Sequence, residues 1–221
     1  MTPGDRHAAN AHNCTTLAYP ETPVIMDIGT PLRDLGDVDS SALQRAVLAQ
    51  DEAAWHENEH RQQAYDVHHN TQSIVLVFCD AEWPAVTVSR EAGWERLADA
   101  AVPVMHDIIE RHYPKGGTII RAMAAKLQGG GRIKPHFDSH PSFRYGHRIH
   151  VPLTTNRKVR FMVDGRPYRF EVGKAYELNN QLTHSVINRS DEGRITFIFD
   201  YVPPDVIEGR QPAAGRMAAG A

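Results

Sequence analysis

The stretch RITFIFDYV, residues 194–202, carries large apolar side chains at every second position. In an extended strand, side chains two positions apart point to the same face of the sheet. One face therefore carries Ile195, Phe197, Phe199 and Tyr201, and the other carries Arg194, Thr196, Ile198 and Asp200. The pattern predicts a strand that packs on one side and lines a partly polar cavity on the other.

A second stretch, HRIHVPL at 147–153, repeats this arrangement. Ile149, Val151 and Leu153 share one face, whereas Arg148 and His150 share the opposite face. Burying an arginine and a histidine is costly unless they meet a partner. The two strands together therefore predict a cavity that binds something.

Strand-like segments of this kind cover most of the chain from residue 118. Short strand-like segments follow one another, namely TIIRAMAAKL, RIHVPLTT, KVRFMVD, YRFEV, AYELN, HSVIN and RITFIFDYV. Asp164-Gly165 in VDGRP is suited to a type I′ hairpin turn. Closely spaced short strands with turn residues between them indicate an antiparallel sandwich or barrel.

Helical composition precedes these strands. SSALQRAVLAQDEAAWHE (40–57) predicts a helix capped by Ser40 or Ser41. SREAGWERLADAAVPVMHDIIERHY (89–113) predicts a helix that starts at Ser89 and is interrupted or kinked at Pro103. Between them, SIVLVFCD (73–80) is typical of a buried strand. The predicted architecture is mainly β, with N-terminal helices that cover one sheet.

Length and composition indicate one globular domain in a chain of 221 residues. We predict disordered tails at 1–22 and 204–221, and a single domain at 23–203 whose β-strand core spans about 118–203. A net charge of -3 argues against nucleic acid as a partner, and no apolar run is long enough to cross a membrane. Two cysteines and a polar N-terminus without a secretory signal favour a reducing cytoplasm. Composition leaves the oligomeric state open.

The segment GGGRIKPHFDSH, residues 129–140, is the chemical clue. His136 and Asp138 lie two residues apart, so in an extended segment they point the same way and can share one metal ion. His184, at the start of a later strand, is the best candidate for a third ligand. Two imidazoles and one carboxylate on one face of a metal form the ligand set of non-haem Fe(II) oxygenases.

Such a site leaves room for a bidentate 2-oxo acid and for dioxygen. 2-Oxoglutarate carries a second carboxylate away from the metal, and an arginine fork is the side chain that binds it best. Arg194 follows His184 by ten residues, and its face looks into the same space. His150 can donate a hydrogen bond to the carboxylate nearer the metal.

Each of these residues, taken singly, also suits an ordinary structural role. His136 can be a loop histidine, and Asp138 can form a turn. Zinc is the competing metal, but structural zinc sites usually use thiolates, and no cysteine lies near these residues in sequence. The combination of all four residues within one run of strands favours the iron site.

Three segments, RIKPHFDSH, HRIHVPLTTN and AYELNNQLTHSVINRSDEGRITFIFDY, together resemble the aspartyl/asparaginyl β-hydroxylase family of Fe(II)/2-oxoglutarate dioxygenases. The resemblance is strong from about 118 to 203. It implies a double-stranded β-helix, which is a cupin-like jelly roll. It also implies iron ligation by His136, Asp138 and His184, 2-oxoglutarate binding by Arg194 and His150, and a position near cosubstrate or substrate for Arg148.

The resemblance leaves the substrate open, because the animal enzyme that names the family has glycine where this chain has Asp138. The chain looks more like the small bacterial members, and relatives of that kind also act on free amino acids. We therefore expect hydroxylation of an amino acid, free or within a peptide. A non-catalytic metal-binding or sensor module is the alternative, as is the same chemistry ending in desaturation or cyclisation.

Overall fold

Two antiparallel sheets build the structure, a computed structural model that describes residues 15–18, 26–57, 71–82 and 85–207. The strands are β1 (Thr15–Ala18), β2 (Leu32–Asp37), β3 (Thr71–Glu82), β4 (Ala85–Arg90), β5 (Thr118–Leu127), β6 (Arg132–His136), β7 (His147–Thr154), β8 (Val159–Val163), β9 (Arg166–Tyr168), β10 (Lys174–Leu178), β11 (His184–Asn188) and β12 (Arg194–Val202). The helices are α1 (Ser41–Leu48), α2 (Glu52–His56), α3 (Ala92–His112) and α4 (Pro204–Ile207), with a 3-10 turn at Pro141–Arg144.

The strand order is that of a jelly roll. The large sheet runs β1-β4-β3-β5-β12-β7-β10-β2, and the small sheet runs β6-β11-β8-β9. Asp164 and Gly165 both have positive φ, 49° and 72°, as the predicted type I′ turn between β8 and β9 requires. The mainly β, cupin-like double-stranded β-helix predicted from the sequence is confirmed.

Helices α1 to α3 cover the outer face of the large sheet. Helix α3 presents a buried apolar stripe at helical spacing, formed by Leu97, Ala101, Val104, Met105 and Ile108. This stripe joins one core with the outward faces predicted for β7 and β12, including Ile149, Val151, Phe197 and Phe199. Gly93 lets the start of α3 approach β3, since a Cβ there would lie 2.4 Å from the carbonyl oxygen of Val75.

The opposite face of the large sheet and the small sheet enclose a second, more aromatic core. Phe161, Phe170 and Tyr176 stack in series, with ring centroids 4.4 Å and 4.5 Å apart. This interior contains the polar faces of β7 and β12, and it is where the site lies.

Local details differ from the sequence-based prediction in the helices. The helix predicted over 40–57 is two helices, because Asp51 interrupts it and caps α2 by accepting a hydrogen bond from the Ala54 amide at 2.9 Å. Helix α3 begins after Glu91, whereas Ser89 still belongs to β4. The helix continues through Pro103, so the predicted interruption is wrong. Its buried stripe outweighs the single hydrogen bond lost at proline.

Both predicted tails contain ordered structure. Strand β1 pairs antiparallel with β4, within the segment 1–22 for which the sequence predicts disorder. Helix α4 extends the domain beyond residue 203, and Val206 is buried with Ile120, Tyr145 and Val202. A backbone-paired edge strand and a four-residue helix carry too little hydrophobic pattern to be recognised from sequence. The remaining parts of both predicted tails lie outside the described residues.

Candidate metal centre

His136, Asp138 and His184 converge at one end of the interior. One ligand atom from each lies within 4.8 Å of the other two. Asp138 Oδ1 is 3.8 Å from His136 Nε2 and 3.9 Å from His184 Nε2. The sheet creates this cluster, because His136 ends β6 and faces His184 as its register partner at the start of β11.

Backbone carbonyls orient both imidazoles. Nδ1 of His136 lies 2.8 Å from the carbonyl oxygen of Lys134, and Nδ1 of His184 lies 2.9 Å from that of Leu182. A carbonyl only accepts hydrogen bonds, so each ring carries its proton on Nδ1 in these contacts. The lone pairs on the two Nε2 atoms then face Asp138, which is the tautomer that a metal ion requires.

Asp138 is held on its other side. Arg148 Nη1 donates to Asp138 Oδ2 at 2.8 Å, and the Asp138 amide donates to the carbonyl oxygen of Asn180 at 3.0 Å. The remaining nitrogens of Arg148 bind Asp200 in a two-point contact, Nε to Oδ1 at 2.8 Å and Nη2 to Oδ2 at 2.9 Å. Arg148 thus leaves Asp138 Oδ1 directed at the two histidines.

Burial favours neutral histidine at this site. Burial lowers the pKa of His184, although Asp138 partly opposes the change. Burial also works against the charged form of Arg148, but Asp138 and Asp200 raise its pKa above the ordinary value. Near neutral pH the cluster therefore combines neutral imidazole with a carboxylate stabilised by a permanent cation.

Buried polar side chains continue from the cluster along the inner faces of β7 and β12. His150, Thr196 and Arg194 share this face, and all three are at most 5% exposed. Both ring nitrogens of His150, Oγ1 of Thr196 and Nη2 of Arg194 are buried without a hydrogen-bond partner. Such a concentration of unsatisfied polar atoms is rare in a folded interior and fits a site that binds a polar ligand.

The charges of these buried side chains favour an anionic ligand. Burial lowers the pKa of Arg194 to about 10, which leaves the guanidinium charged near neutral pH. Within the part of the chain that the structure describes, no carboxylate pairs with Arg194, and its guanidinium carbon lies 5.7 Å from the centroid of the Phe161 ring. Burial, with help from Arg148 and Arg194, keeps the pKa of His150 well below its usual range. A neutral histidine and a free guanidinium suit a carboxylate.

The structure brings together the residues that the sequence singles out and adds others. His136, Asp138 and His184 form one cluster, and Arg194 and His150 are buried in the same interior. Arg148 is engaged by two carboxylates. Sequence reasoning assigns no role to Asp200, Thr196, Arg121 or Phe143; the first two stand on the polar face of RITFIFDYV, which is the available signal.

The chain is similar to several solved structures at low sequence identity. A non-haem monooxygenase, described as the ThoJ–Ni complex, is 14% identical over 84% of this chain and 77% of its own, with a TM-score of 0.51. A 2OG-Fe(II) oxygenase-family oxidoreductase from Burkholderia pseudomallei is 14% identical, with 66% and 74% coverage and a TM-score of 0.47. The viral collagen prolyl hydroxylase of Paramecium bursaria Chlorella virus-1, solved with 2OG, is 11% identical, with 79% and 97% coverage and a TM-score of 0.46.

Fold and site together define a double-stranded β-helix protein with a His/Asp/His cluster at one end of its interior. The family model described as aspartyl/asparaginyl β-hydroxylase matches residues 41–204, and the chain belongs to this family. Membership confirms the family predicted from sequence. It makes the protein an oxidoreductase of the 2-oxoglutarate dioxygenase class, which uses Fe(II), 2-oxoglutarate and dioxygen.

A search of the curated proteins finds no significant match. Across the described residues, no helix combines the length and the apolar character needed to span a membrane.

Proposed function

We propose that the protein hydroxylates an unactivated C–H bond of an amino acid, free or within a peptide, with release of succinate and carbon dioxide. The observation that carries the proposal is the buried guanidinium of Arg194, which is charged, lacks a carboxylate partner among the described residues, and lies in the same interior as a His/Asp/His cluster. A permanent cation buried without a partner is costly, and an anionic cosubstrate removes that cost.

His136, Asp138 and His184 are the proposed iron ligands. Their donor set, two Nε2 atoms and one carboxylate oxygen, fits Fe(II) in a three-ligand site with open positions. Hydrogen bonds from both Nδ1 atoms to carbonyls and from Arg148 to Asp138 support this assignment, because second-sphere contacts of this kind orient metal ligands.

Arg194, Thr196 and His150 are the proposed residues for 2-oxoglutarate. The Arg194 fork binds the carboxylate far from the metal, and Thr196 can donate its hydroxyl to the same group. His150, being neutral, donates one ring N–H to the carboxylate nearer the metal. Phe161 and Phe170, whose ring centroids each lie 5.8 Å from that of His150, give this position apolar surroundings.

Iron, 2-oxoglutarate and dioxygen when bound supply the oxidation that inserts one oxygen atom into the C–H bond. The protein's own task is orientation. His136, Asp138 and His184 would hold the iron with three protein ligands, which would leave positions open for cosubstrate and substrate. No side chain needs to act as a general base in such a reaction, and we assign none.

The test is a turnover screen. Protein reconstituted anaerobically with Fe(II) is given 2-oxoglutarate, oxygen and a panel of L-amino acids and short peptides, and succinate and product mass are measured. We expect substrate-dependent succinate and a product that gains one oxygen atom, both absent in Asp138→Ala. A product that loses two hydrogens identifies desaturation or cyclisation instead. Metal binding without succinate, together with tolerance of Arg194→Met, identifies the non-catalytic module.

A further inference from the structure

A second buried arginine lies beside the site. Arg121 on β5 and Arg148 on β7 are both register partners of Asp200 on β12, so the three side chains form a row across three neighbouring strands. Arg121 is 5% exposed. The row therefore places two buried guanidinium groups around one carboxylate.

Asp200 forms ion pairs with both arginines but accepts hydrogen bonds from only one of them. Arg148 takes both of its oxygens at 2.8 Å and 2.9 Å. Arg121 Nη1 stays 3.6 Å from Asp200 Oδ2, beyond a hydrogen bond, and is buried without a hydrogen-bond partner. Its Nη2 reaches the carbonyl oxygen of Cys79 only at 3.5 Å. The fork of Arg121 therefore has an unused donor.

The number of buried charges on this face also favours an anionic partner for Arg121. On this inner face the described residues supply three guanidinium groups, from Arg121, Arg148 and Arg194, and two carboxylates, from Asp138 and Asp200. The other buried carboxylate that the structure describes, Glu177, lies on the opposite face of the sheet with Arg33 and His147. A divalent metal and a 2-oxoglutarate dianion cancel each other, so one positive charge remains. Among the described side chains there is thus a place for one more carboxylate.

The position of Arg121 suits the substrate. Its guanidinium carbon and that of Arg148 each lie 4.3 Å from the ring centroid of Phe143, in the 3-10 turn that follows Asp138. Arg121 is separated from Arg148 by one intervening strand, which amounts to about 10 Å between backbones. Since Arg148 contacts Asp138 directly, an anion on Arg121 lies within the reach of a small molecule whose other end approaches the metal ligands.

We propose that Arg121 binds the carboxylate of the substrate, and that the substrate is a free amino acid. The inference rests on the function proposed above and narrows its substrate class. A guanidinium fork recognises a carboxylate through two parallel hydrogen bonds, and Arg121 has the unused donor for it. A free amino acid fits better than a chain, because Arg121 is buried beneath the turn that carries Phe143.

The first experiment compares acids with amides. Protein loaded with Ni(II) and 2-oxoglutarate is titrated calorimetrically with twenty free L-amino acids, with their carboxamides, and with peptides blocked at both ends. We expect one or a few amino acids to bind, and each to bind about 100-fold or more tightly than its carboxamide, since a site built around a polar group rejects an analogue that lacks it. Equal affinity for acid and amide, or preference for the blocked peptides, overturns the proposal.

Variants assign the effect to Arg121. Arg121→Met should lose the discrimination between acid and amide while its affinities for Ni(II) and 2-oxoglutarate stay unchanged, and Arg121→Lys should retain part of it. Arg160→Met, at an exposed arginine on β8, is the matched control and should keep the wild-type ratio. Retained discrimination in Arg121→Met contradicts the proposal. If that variant does not fold, Arg121→Lys and the wild-type comparison still decide.

The two proposals fail in different ways. Selective binding of amino acids without succinate from any of them contradicts the proposed function and leaves the carboxylate site standing. Succinate formed equally from acids and amides contradicts the carboxylate site alone.

Discussion

His136 and His184 are register partners across the antiparallel pair β6–β11, and their ring centroids lie 4.4 Å apart. The two imidazoles therefore belong to rigid, hydrogen-bonded strands. The pairing slips immediately after His184, between it and Val186. A site built on strands holds its ligands more closely than one built on loops alone.

Removal of one imidazole should abolish metal binding without unfolding the protein. His184 is the ligand to change, because it is 6% exposed and its Nε2 faces Asp138. Wild-type protein should gain stability with Ni(II), by about 2.7 kcal/mol at a hundredfold excess over Kd. His184→Ala should show no gain, as measured by thermal unfolding with and without metal. His106→Ala, at an exposed position on α3, should behave as wild type; an unchanged metal shift in His184→Ala would exclude it as a ligand.

Arg194→Met should weaken 2-oxoglutarate binding and stabilise the ligand-free protein. Burial lowers the pKa of Arg194 to about 10, and this shift corresponds to roughly 3 kcal/mol of unfavourable free energy for the charged form. Methionine removes that cost and keeps the packing on Phe161. We expect the unfolding free energy in urea to rise by about 1–3 kcal/mol, and the affinity for 2-oxoglutarate to fall by about 100-fold.

The control for this prediction is Arg160→Met, at an exposed arginine that should change neither quantity. Lower stability of ligand-free Arg194→Met would mean that the guanidinium has a stabilising partner. Such a result would also remove the main observation in favour of an anionic cosubstrate.

Most of the site can be predicted from the sequence because alternation along a strand is a strong signal. RITFIFDYV and HRIHVPL each have one apolar face and one polar face. In the structure Phe197 and Ile149 pack in the core under the helices, whereas His150 lies between the two sheets. The His-x-Asp spacing adds two residues that must point the same way. These inferences succeed because they depend on local geometry that a strand imposes on any sequence.

Contacts between side chains that are far apart in the chain cannot be predicted from the sequence alone. The family resemblance implies a position near substrate or cosubstrate for Arg148, which stays a prediction, but it does not indicate that the guanidinium binds Asp138 and Asp200. Asp200 is 52 residues from Arg148 in the chain, and only the register between β7 and β12 brings them together. Register follows from how whole sheets pair, and a single sequence does not contain it.

Arg148→Met should damage both stability and metal affinity. Its removal leaves Asp138 and Asp200 buried without their shared cation, which typically costs about 3–5 kcal/mol. Freed from Arg148, Asp138 should also bind metal about 10–100-fold more weakly. Urea unfolding and Ni(II) titration measure the two effects.

The comparison for that variant is Arg111→Met, which breaks an exposed pair with Asp107 at 2.7 Å. This surface pair should contribute less than about 1 kcal/mol. Arg148→Lys should keep the charge but lose the two-point contact, so intermediate values are expected. Wild-type metal affinity in Arg148→Met would show that Arg148 does not orient Asp138.

Stability of the metal-free protein should fall as the pH drops below about 6.5, and His150 should account for part of the loss. Its pKa lies well below 6.5 in the folded state, because burial and then Arg148 and Arg194 oppose its protonation. Below this pH the unfolded chain therefore binds a proton at His150 that the folded chain does not bind. The unfolding free energy should lose up to about 1.4 kcal/mol per pH unit for each such group.

His150→Phe should reduce this pH slope by the contribution of one proton. Phenylalanine suits the position, since Phe161 and Phe170 surround His150 with ring centroids at 5.8 Å. His184, whose pKa is also lowered by burial, should keep part of the slope. Urea unfolding of chelator-treated protein at pH 7.5, 6.5 and 5.5 measures the effect, with His106→Phe as an exposed control. An identical slope in His150→Phe would mean that His150 is protonated alike in both states, and its assignment as a neutral donor to 2-oxoglutarate would then be wrong.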